Sequence, residues 1–416
     1  MWRSLLVVLV MLGLWACVPA APEFREEDGG ARSPDAAEGM DAPAASMDAA
    51  AMFMDAATPI DAGLGVARPA WLELGTVGAW AQIPGTEVTG RLSAYCGMGF
   101  REDDRLEIFS GASGGHSDNP TDNTVETLRL DVDVPAWVIR RGPSDPTGWN
   151  TDGSTGPYFP SDGRPAPRHN YWSPWWVPEL GRYLIFGGRF YGTSVHDYWK
   201  TDGFDPVLDD WDPAGTYPDA TGEKNVSLRD PRSGRLYATA GGLSYYDPQT
   251  RQFSMQVGYS GPAADQVQRG GSAFDTLRGH IYHLSVGNNF VPGGMINSAV
   301  VDPATGVTRA IHFQDSAAWQ DFQAHKDDFL TTTTVYDPDH DRYYFYNGGV
   351  EGPEKIYRVK PSAQDTWDMD YLPTAGPPPA SSAAQGGIMT KFVYVSRLKS
   401  VVLVVPRQDV YFLRLE

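Results

Sequence analysis

An all-β fold of six sheets set radially, a β-propeller, is what residues 69–416 predict, and three observations predict it. The first is a recurrence. A polar turn, then a basic residue or His, then an apolar and aromatic run occurs six times, as Arg105-Leu-Glu-Ile-Phe, Arg182-Tyr-Leu-Ile-Phe, Arg235-Leu-Tyr-Ala-Thr, His280-Ile-Tyr-His-Leu, Arg342-Tyr-Tyr-Phe-Tyr and Lys399-Ser-Val-Val-Leu. Runs rich in β-branched and aromatic residues and bounded by Gly, Pro and Asp read as strands. The second is a glycine pair after several runs, Gly187-Gly188, Gly241-Gly242 and Gly348-Gly349, where a positive φ is cheap only without a Cβ. The third is an Asp-Pro corner further on, at Asp205-Pro206, Asp247-Pro248 and Asp302-Pro303, with a bulky residue usual on the next strand: Trp137, Trp211, Phe253 and Trp367. Proline presets the turn and Asp bonds its own backbone, so these are hairpin corners.

The resulting unit is four antiparallel strands, the size of a propeller blade. Blades are expected near 91–141, 166–214, 223–258, 268–313, 329–372 and 386–416, the last short of an outer strand. Trp71 to Pro84, with Trp80, reads as a lone outer strand. Pairing of that N-terminal strand with the last blade would close the ring and leave no open edge.

The glycine pair, the Asp-Pro corner and the trailing Trp together resemble the kelch repeat, the repeat of galactose-oxidase-like propellers. Pro167-Arg168-His169-Asn170-Tyr171-Trp172 resembles the Pro-Arg-x-x-aromatic opening of that family's innermost strand. The resemblance covers most of 69–416; it is good in 166–214 and weak in 268–313, where no trailing aromatic stands.

Upstream, residues 1–16 read as a secretory signal, with Arg3 before an apolar run from Ser4 to Trp15 too short for a comfortable permanent span. Its end, Leu14-Trp15-Ala16-Cys17, resembles the bacterial lipobox, with Trp15 departing from the usual small residue. The resemblance implies a lipidated Cys17 and an exported protein anchored to the cell envelope without a transmembrane helix. Val18 gives no inner-membrane retention signal, so the outer membrane is the expected address. The alternative is an ordinary signal peptide. With Cys17 lipidated, Cys96 is the only thiol left, and no intramolecular disulfide can form.

Residues 17–68 read as a disordered tether rich in Ala, Asp, Pro and Met. Met40-Asp41-Ala42, Met47-Asp48-Ala49 and Met54-Asp55-Ala56 recur every seven residues, yet one apolar position per copy makes no coiled-coil seam. Ten carboxylates against three arginines leave this segment at −7 of the formal −19. The folded part is acidic too. Nucleic acid, which needs a basic face, is therefore excluded as a partner, and a monomer is expected.

The propeller resemblance implies that loops between blades, and those between second and third strands, share one face. That face would gather His116 and Asn119 from blade one, and Arg168, His169, Asn170, Arg189, Tyr191 and His196 from blade two. Arg269 and Asn288 would come from blade four, with His325 and Lys326 ahead of blade five. On a regular strand Arg168, Asn170 and Trp172 would point one way, and His169 and Tyr171 the other. Trp175 and Trp176 are expected to fill space between blades. A cationic spot in an acidic protein would favour an anionic ligand, and Arg suits carboxylate or sulfate.

Three functions compete at that face. One is a binding module for a glycan, anionic for preference, or for a protein. The second is an acidic-polysaccharide lyase, with His116, His169, Tyr191 or His196 as base and Arg168 as carboxylate neutraliser. The third is a copper oxidase, suggested by Tyr95 beside Cys96 but lacking the Tyr-His pair and accessory domains of that family. No cofactor is expected. The metal candidates are the 118–123 loop, for calcium, and Asp337-Pro-Asp339-His-Asp341, which lacks the Gly and Glu of a calcium loop and reads better as a turn.

Overall fold

Each of the six apolar runs folds as the second strand of a blade of four antiparallel strands, and the sheet of the fifth blade carries an additional parallel strand. The structure is a computed structural model; it describes residues 68–416 apart from 89–91, 93–95, 115–120, 151–153, 192–194, 221–227, 239–242, 256–269, 287–295, 326–332, 347–354, 377–378 and 380–387. The signal segment, Cys17 and the tether lie outside the described residues.

Strand β1 (Trp80–Gln82) comes first, and blade one follows as β2 (Gly99–Glu102), β3 (Leu106–Gly111), β4 (Val125–Arg129) and β5 (Trp137–Arg141). Blade two is β6 (Pro174–Val177), β7 (Arg182–Phe186), β10 (Thr201–Asp205) and β11 (Asp210–Trp211), with a hairpin, β8 (Arg189–Tyr191) and β9 (Val195–Asp197), raised from its central loop. Blade three is β12 (Leu228–Arg229), β13 (Leu236–Ala238), β14 (Ser244–Asp247) and β15 (Gln252–Met255). Blade four is β16 (Gly270–Asp275), β17 (His280–Val286), β18 (Ile296–Val301) and β19 (Thr308–Ala310). After β20 (His312–Phe313) and helix α1 (Ala317–Ala324), blade five is β21 (Thr333–Asp337), β22 (Arg342–Tyr346), β23 (Ile356–Lys360) and β24 (Thr366–Tyr371). Blade six is β25 (Phe392–Val395), β26 (Ser400–Leu403) and β27 (Tyr411–Arg414), completed by β1.

The fold is thus the expected six-bladed β-propeller, closed by the N-terminal strand: Trp80, Ala81 and Gln82 pair with Leu413, Phe412 and Tyr411. The core lies between blades. The cluster of blades six and one joins Phe412 and Val402 to Ile108 and Leu128; that of one and two joins Phe109 to Tyr183 and Phe204; that of two and three joins Phe186 to Tyr246. Blades three and four meet at Tyr237 and Phe274, four and five at Tyr282 and Tyr343, five and six at Tyr346 and Phe392. The trailing aromatics Trp137, Trp211, Phe253, Trp367 and Trp80 each pack into the cluster shared with the preceding blade. Blade four has none, and the cluster it shares with blade three contains no Trp.

Two local expectations are corrected. Blade four ends at Ala310, because β20 leaves it to pair in parallel with β24 of blade five, His312 with Thr366 and Phe313 with Trp367. Ser316 then caps α1 by accepting from the Trp319 N–H, and the helix buries Phe322 against Phe345 and Tyr357. The innermost strand of blade two starts at Pro174, beyond Arg168–Trp172, because Tyr171 is left-handed (φ 46°) and Ser173 N donates to Asn170 O at 2.8 Å. The alternation expected from Arg168 to Trp172 therefore does not apply.

The corners behave as the sequence implies. Asp205 accepts from Val207 N at 2.7 Å, Asp247 from Gln249 N at 2.9 Å and Asp302 from Ala304 N at 2.8 Å. Asp230, Asp275 and Asp337 cap the first-to-second strand corners of blades three, four and five in the same way.

Candidate functional site where blades one and two meet

The entry to blade two is threaded between two loops. Arg168 N donates to Ala112 O at 3.0 Å, pairing it beside blade one, and His169 exchanges backbone bonds with Arg189 of the β8–β9 hairpin at 2.8 and 3.0 Å. Gly188 is required where the two segments cross, since at φ 135° a Cβ would stand 2.8 Å from Arg168 Cδ and from His169 O. The predicted glycine pair therefore makes room for the arginine.

Arg168 is wholly enclosed, and its Nη2 donates to Asp202 Oδ2 on β10 at 2.5 Å. Its Nε and Nη1, equally enclosed, meet no acceptor among the described residues. Nearby, the Tyr158 hydroxyl is held well above its usual range, by burial first and then by the charge of Asp202. His196 stands opposite Phe190 in the hairpin, with Nε2 enclosed and without a hydrogen-bond partner among the described residues. Among the described residues the Arg168 guanidinium thus has two enclosed nitrogens without an acceptor.

Asn170 is a clamp. Its Oδ1 accepts from Gly97 N at 2.8 Å, and its Nδ2 reaches Ser113 Oγ at 3.2 Å and Gly111 O at 3.4 Å, so one amide ties blade two to blade one. His169 is 1% exposed, and its Nδ1 lies 3.5 Å from the Tyr171 hydroxyl with the two rings edge to face. Tyr171 in turn packs with Trp172 and Met389. The other two predicted aromatics fill gaps as expected. Trp176 lies against Tyr183 under the Arg101 guanidinium, and its Nε1 donates to Asp103 Oδ2 at 2.6 Å; Trp175 packs toward blade three.

Of the remaining candidates, Arg189 donates from Nε to Asp197 Oδ1 at 2.5 Å, and Tyr191 is placed by its backbone pairing with Val195. The described cations of the expected funnel are thus each matched to a carboxylate. His325 ends α1, its Nδ1 2.9 Å from Asp321 O, and so belongs to the helix on blade five. His116, Asn119, Arg269, Asn288 and Lys326 lie outside the described residues. So do Asp118 and Asn119 of the calcium candidate, whose Asn123 is engaged by Ser144 and the Pro165 carbonyl. The three carboxylates of the Asp337–Asp341 turn are all engaged: Asp337 caps its own corner, Asp339 holds Lys399 at 2.7 Å and Asp341 holds Arg278.

Sequence reasoning missed Asp202, Tyr158, Thr390 and Lys391. Thr390 Oγ1 accepts from Met98 N at 2.7 Å, beside Gly97, whose Cβ would strike Tyr171 O at 2.0 Å. Three blade entries therefore meet at one glycine. Behind it Cys96 is buried, taking the Gly114 N–H on its sulfur at 3.1 Å, and burial lowers the enclosed Lys391 ammonium to about 8. A lysine placed directly before the apolar run Phe392–Val395 was the signal available for the last of these.

No family model and no curated protein matches the chain. Among solved structures it is similar to a candidate 6-phosphogluconolactonase from Bacteroides uniformis ATCC 8492, with a TM-score of 0.42, 13% identity, and 74% of this chain and 77% of that chain covered. It is also similar to the extracellular domain of a candidate hybrid two-component system from B. thetaiotaomicron, with a TM-score of 0.42 and 10% identity. That match covers 80% of this chain, which spans 39% of the other's length.

Proposed function

We propose that the propeller is a ligand-binding module that takes an anionic glycan on its loop face where blades one and two meet. The observation that carries this reading is Arg168, an enclosed guanidinium with Nη2 on Asp202 and with Nε and Nη1 without acceptors among the described residues. Unbonded buried donors are costly, and a carboxylate or sulfate oxygen would satisfy them. The β8–β9 hairpin stands beside Arg168, bridged to it through His169 and Arg189 and anchored by the buried Phe190, so a ligand would reach the guanidinium only by displacing it. In this reading the chain is exported, held to the envelope through Cys17, and works as a monomer on polysaccharide or on a protein partner presenting similar groups.

The test is a binding panel on the purified full chain, with galacturonate, glucuronate and sulfated oligosaccharides against neutral ones. Arg168→Lys keeps the charge that Asp202 requires but loses the planar donors. At least a tenfold loss of affinity for an acidic glycan with the melting point retained supports the reading. No binding to any acidic member, or equal binding by the variant, defeats it.

A second reading, an acidic-polysaccharide lyase, is favoured by one observation, the Tyr171 hydroxyl set against His169 Nδ1 beside Arg168. It requires appearance of the ultraviolet absorbance of an unsaturated uronate and loss of that signal in His169→Ala.

A further inference from the structure

A second feature lies away from the loop junction, at the seam where the N-terminal strand closes the ring. Between β1 and the 405–410 loop of blade six on one side and the outer strand of blade one on the other is a groove of about 690 Å³. That volume is within the range of small-molecule sites. Its walls are rigid for a reason visible in the backbone. Ile83 N donates to Val410 O at 2.9 Å, Val88 N to Gln408 O at 2.8 Å and Arg407 N to Val88 O at 3.0 Å, so the two loop segments are laced together. Thr86, fully buried, donates to Ile83 O and accepts from Val410 N.

The lining combines one aromatic plate with groups that bind hydroxyls. Trp137 is half-buried against the cluster of blades six and one, and its Nε1 donates to Thr86 O at 3.1 Å, which fixes the plane of the ring at the groove wall. Gln82 offers an exposed amide, Gln408 stands beside it with its Oε1 already taking the Tyr411 hydroxyl at 2.7 Å, and Glu87 and Arg407 stand exposed at the edge. Asp409 completes the wall. Its Oδ1 is enclosed and receives no hydrogen bond from the described residues, so a sugar hydroxyl would reach it only with a small turn of the carboxylate.

We propose that this seam groove is a saccharide-binding site for a neutral glycan, with Trp137 as the stacking platform and Asp409 as acceptor for a sugar hydroxyl. A pyranose presents an apolar C–H face and an equatorial rim of hydroxyls, which suits an amphipathic ring bordered by amides and carboxylates. Two carboxylates, Glu87 and Asp409, against one guanidinium, Arg407, disfavour a uronate at this place. The site is independent of the loop-face reading and would give one propeller two points of attachment to a polysaccharide, raising avidity without strengthening either contact.

The experiment is isothermal titration and saturation-transfer NMR on the full chain with cellohexaose, laminarihexaose and mannohexaose, and with hexagalacturonate as the anionic comparison. One neutral hexamer at least is expected to bind, with Trp137→Phe retaining most of the affinity, Trp137→Ala losing at least tenfold, and Asp409→Ala losing a similar factor. Arg168→Lys should leave this binding unchanged, which separates failure here from failure at the loop face. Should Trp137→Ala not fold, the exposed pair Glu87→Gln and Arg407→Ala carries the same test, because neither side chain supports the core. The proposal is overturned by binding of no neutral hexamer, by binding of hexagalacturonate alone, or by neutral binding indifferent to Asp409→Ala and to the variants of the groove edge.

Discussion

The Tyr343 hydroxyl donates to Asp275 Oδ2 at 2.9 Å, fastening the second strand of blade five to the first corner of blade four, with both residues 1% exposed. The same Asp275 oxygen takes the Arg278 guanidinium at 2.8 Å, and Arg278 reaches on to Asp341 of blade five with 2.7 and 2.6 Å contacts. Between blades one and two, Tyr183 donates to Glu107 Oε2 at 2.9 Å, here onto the second strand of the preceding blade. At these two junctions an apolar contact is latched by a tyrosine on a carboxylate, whereas between blades two and three the buried Tyr246 hydroxyl has no partner among the described residues. Burial and the Asp275 charge hold the Tyr343 phenol far above its usual range, so it stays a donor at any ordinary pH. Tyr343→Phe is expected to lower stability by about 1–3 kcal/mol by leaving a buried carboxylate oxygen one donor short, read from the midpoint of denaturant unfolding.

The Arg168–Asp202 pair is predicted to be strongly coupled. Arg168→Met strands a buried carboxylate and should cost about 3–5 kcal/mol. Asp202→Asn on its own leaves the guanidinium short of its charge partner and should also destabilise, whereas the double variant should recover a large part of the loss. A double-mutant cycle on unfolding free energies measures this, and additive effects would show that the two side chains act separately.

Much of the architecture was legible because it is written in short local patterns. Each Asp-Pro corner caps its own turn within three residues, and each apolar run needs only its neighbours to be read as a strand. Closure by Trp80 was legible for a different reason: the last blade was one strand short and the first segment one strand long. The junction of blades one and two was read only in part. Arg168 and His169 could be picked out by type, but their partners, Asp202 at a separation of 34 residues and Arg189 across a backbone bridge, are set by the hairpin and by the left-handed turn at Tyr171. Asn170 shows the same limit, because three partners on the neighbouring blade make it a clamp, and none of them is adjacent in sequence. The seam groove had no sequence signature at all, since Trp137 and Asp409 come from opposite ends of the propeller sequence.

Closure itself makes a prediction. Removing residues 69–84 would uncover β27 and take Trp80 and Trp71 out of two clusters. An unpaired edge beside exposed apolar surface favours association. The shortened chain should lose its cooperative melting transition and elute as aggregate in size-exclusion chromatography. A monomer with unchanged melting would mean that the closing strand is dispensable.

Two buried groups with opposite signs make the last prediction, which concerns acid. His283 is 6% exposed and burial lowers its imidazole to about 4, so between 4 and the ordinary 6.5 the unfolded chain binds a proton that the folded chain refuses. Stability from this group therefore falls as pH drops through that window. Glu102 is partly exposed, but its carboxyl is enclosed at the corner of blade six, where burial raises it to about 7 against 4.5 and a hydrogen bond from Arg397 N opposes the rise. Here the folded chain binds the extra proton, and stability rises as pH drops from 7 to 4.5. In their common window the two slopes oppose, each bounded by about 1.4 kcal/mol per pH unit, and the native protein should show little net dependence from them. The variants separate the effects. His283→Gln should grow more stable on acidification from pH 7 to 5, and Glu102→Gln should grow less stable over the same range, both relative to the native chain in thermal melts at matched ionic strength. Curves of stability against pH for the two variants that do not diverge in opposite directions from the native chain would overturn the prediction.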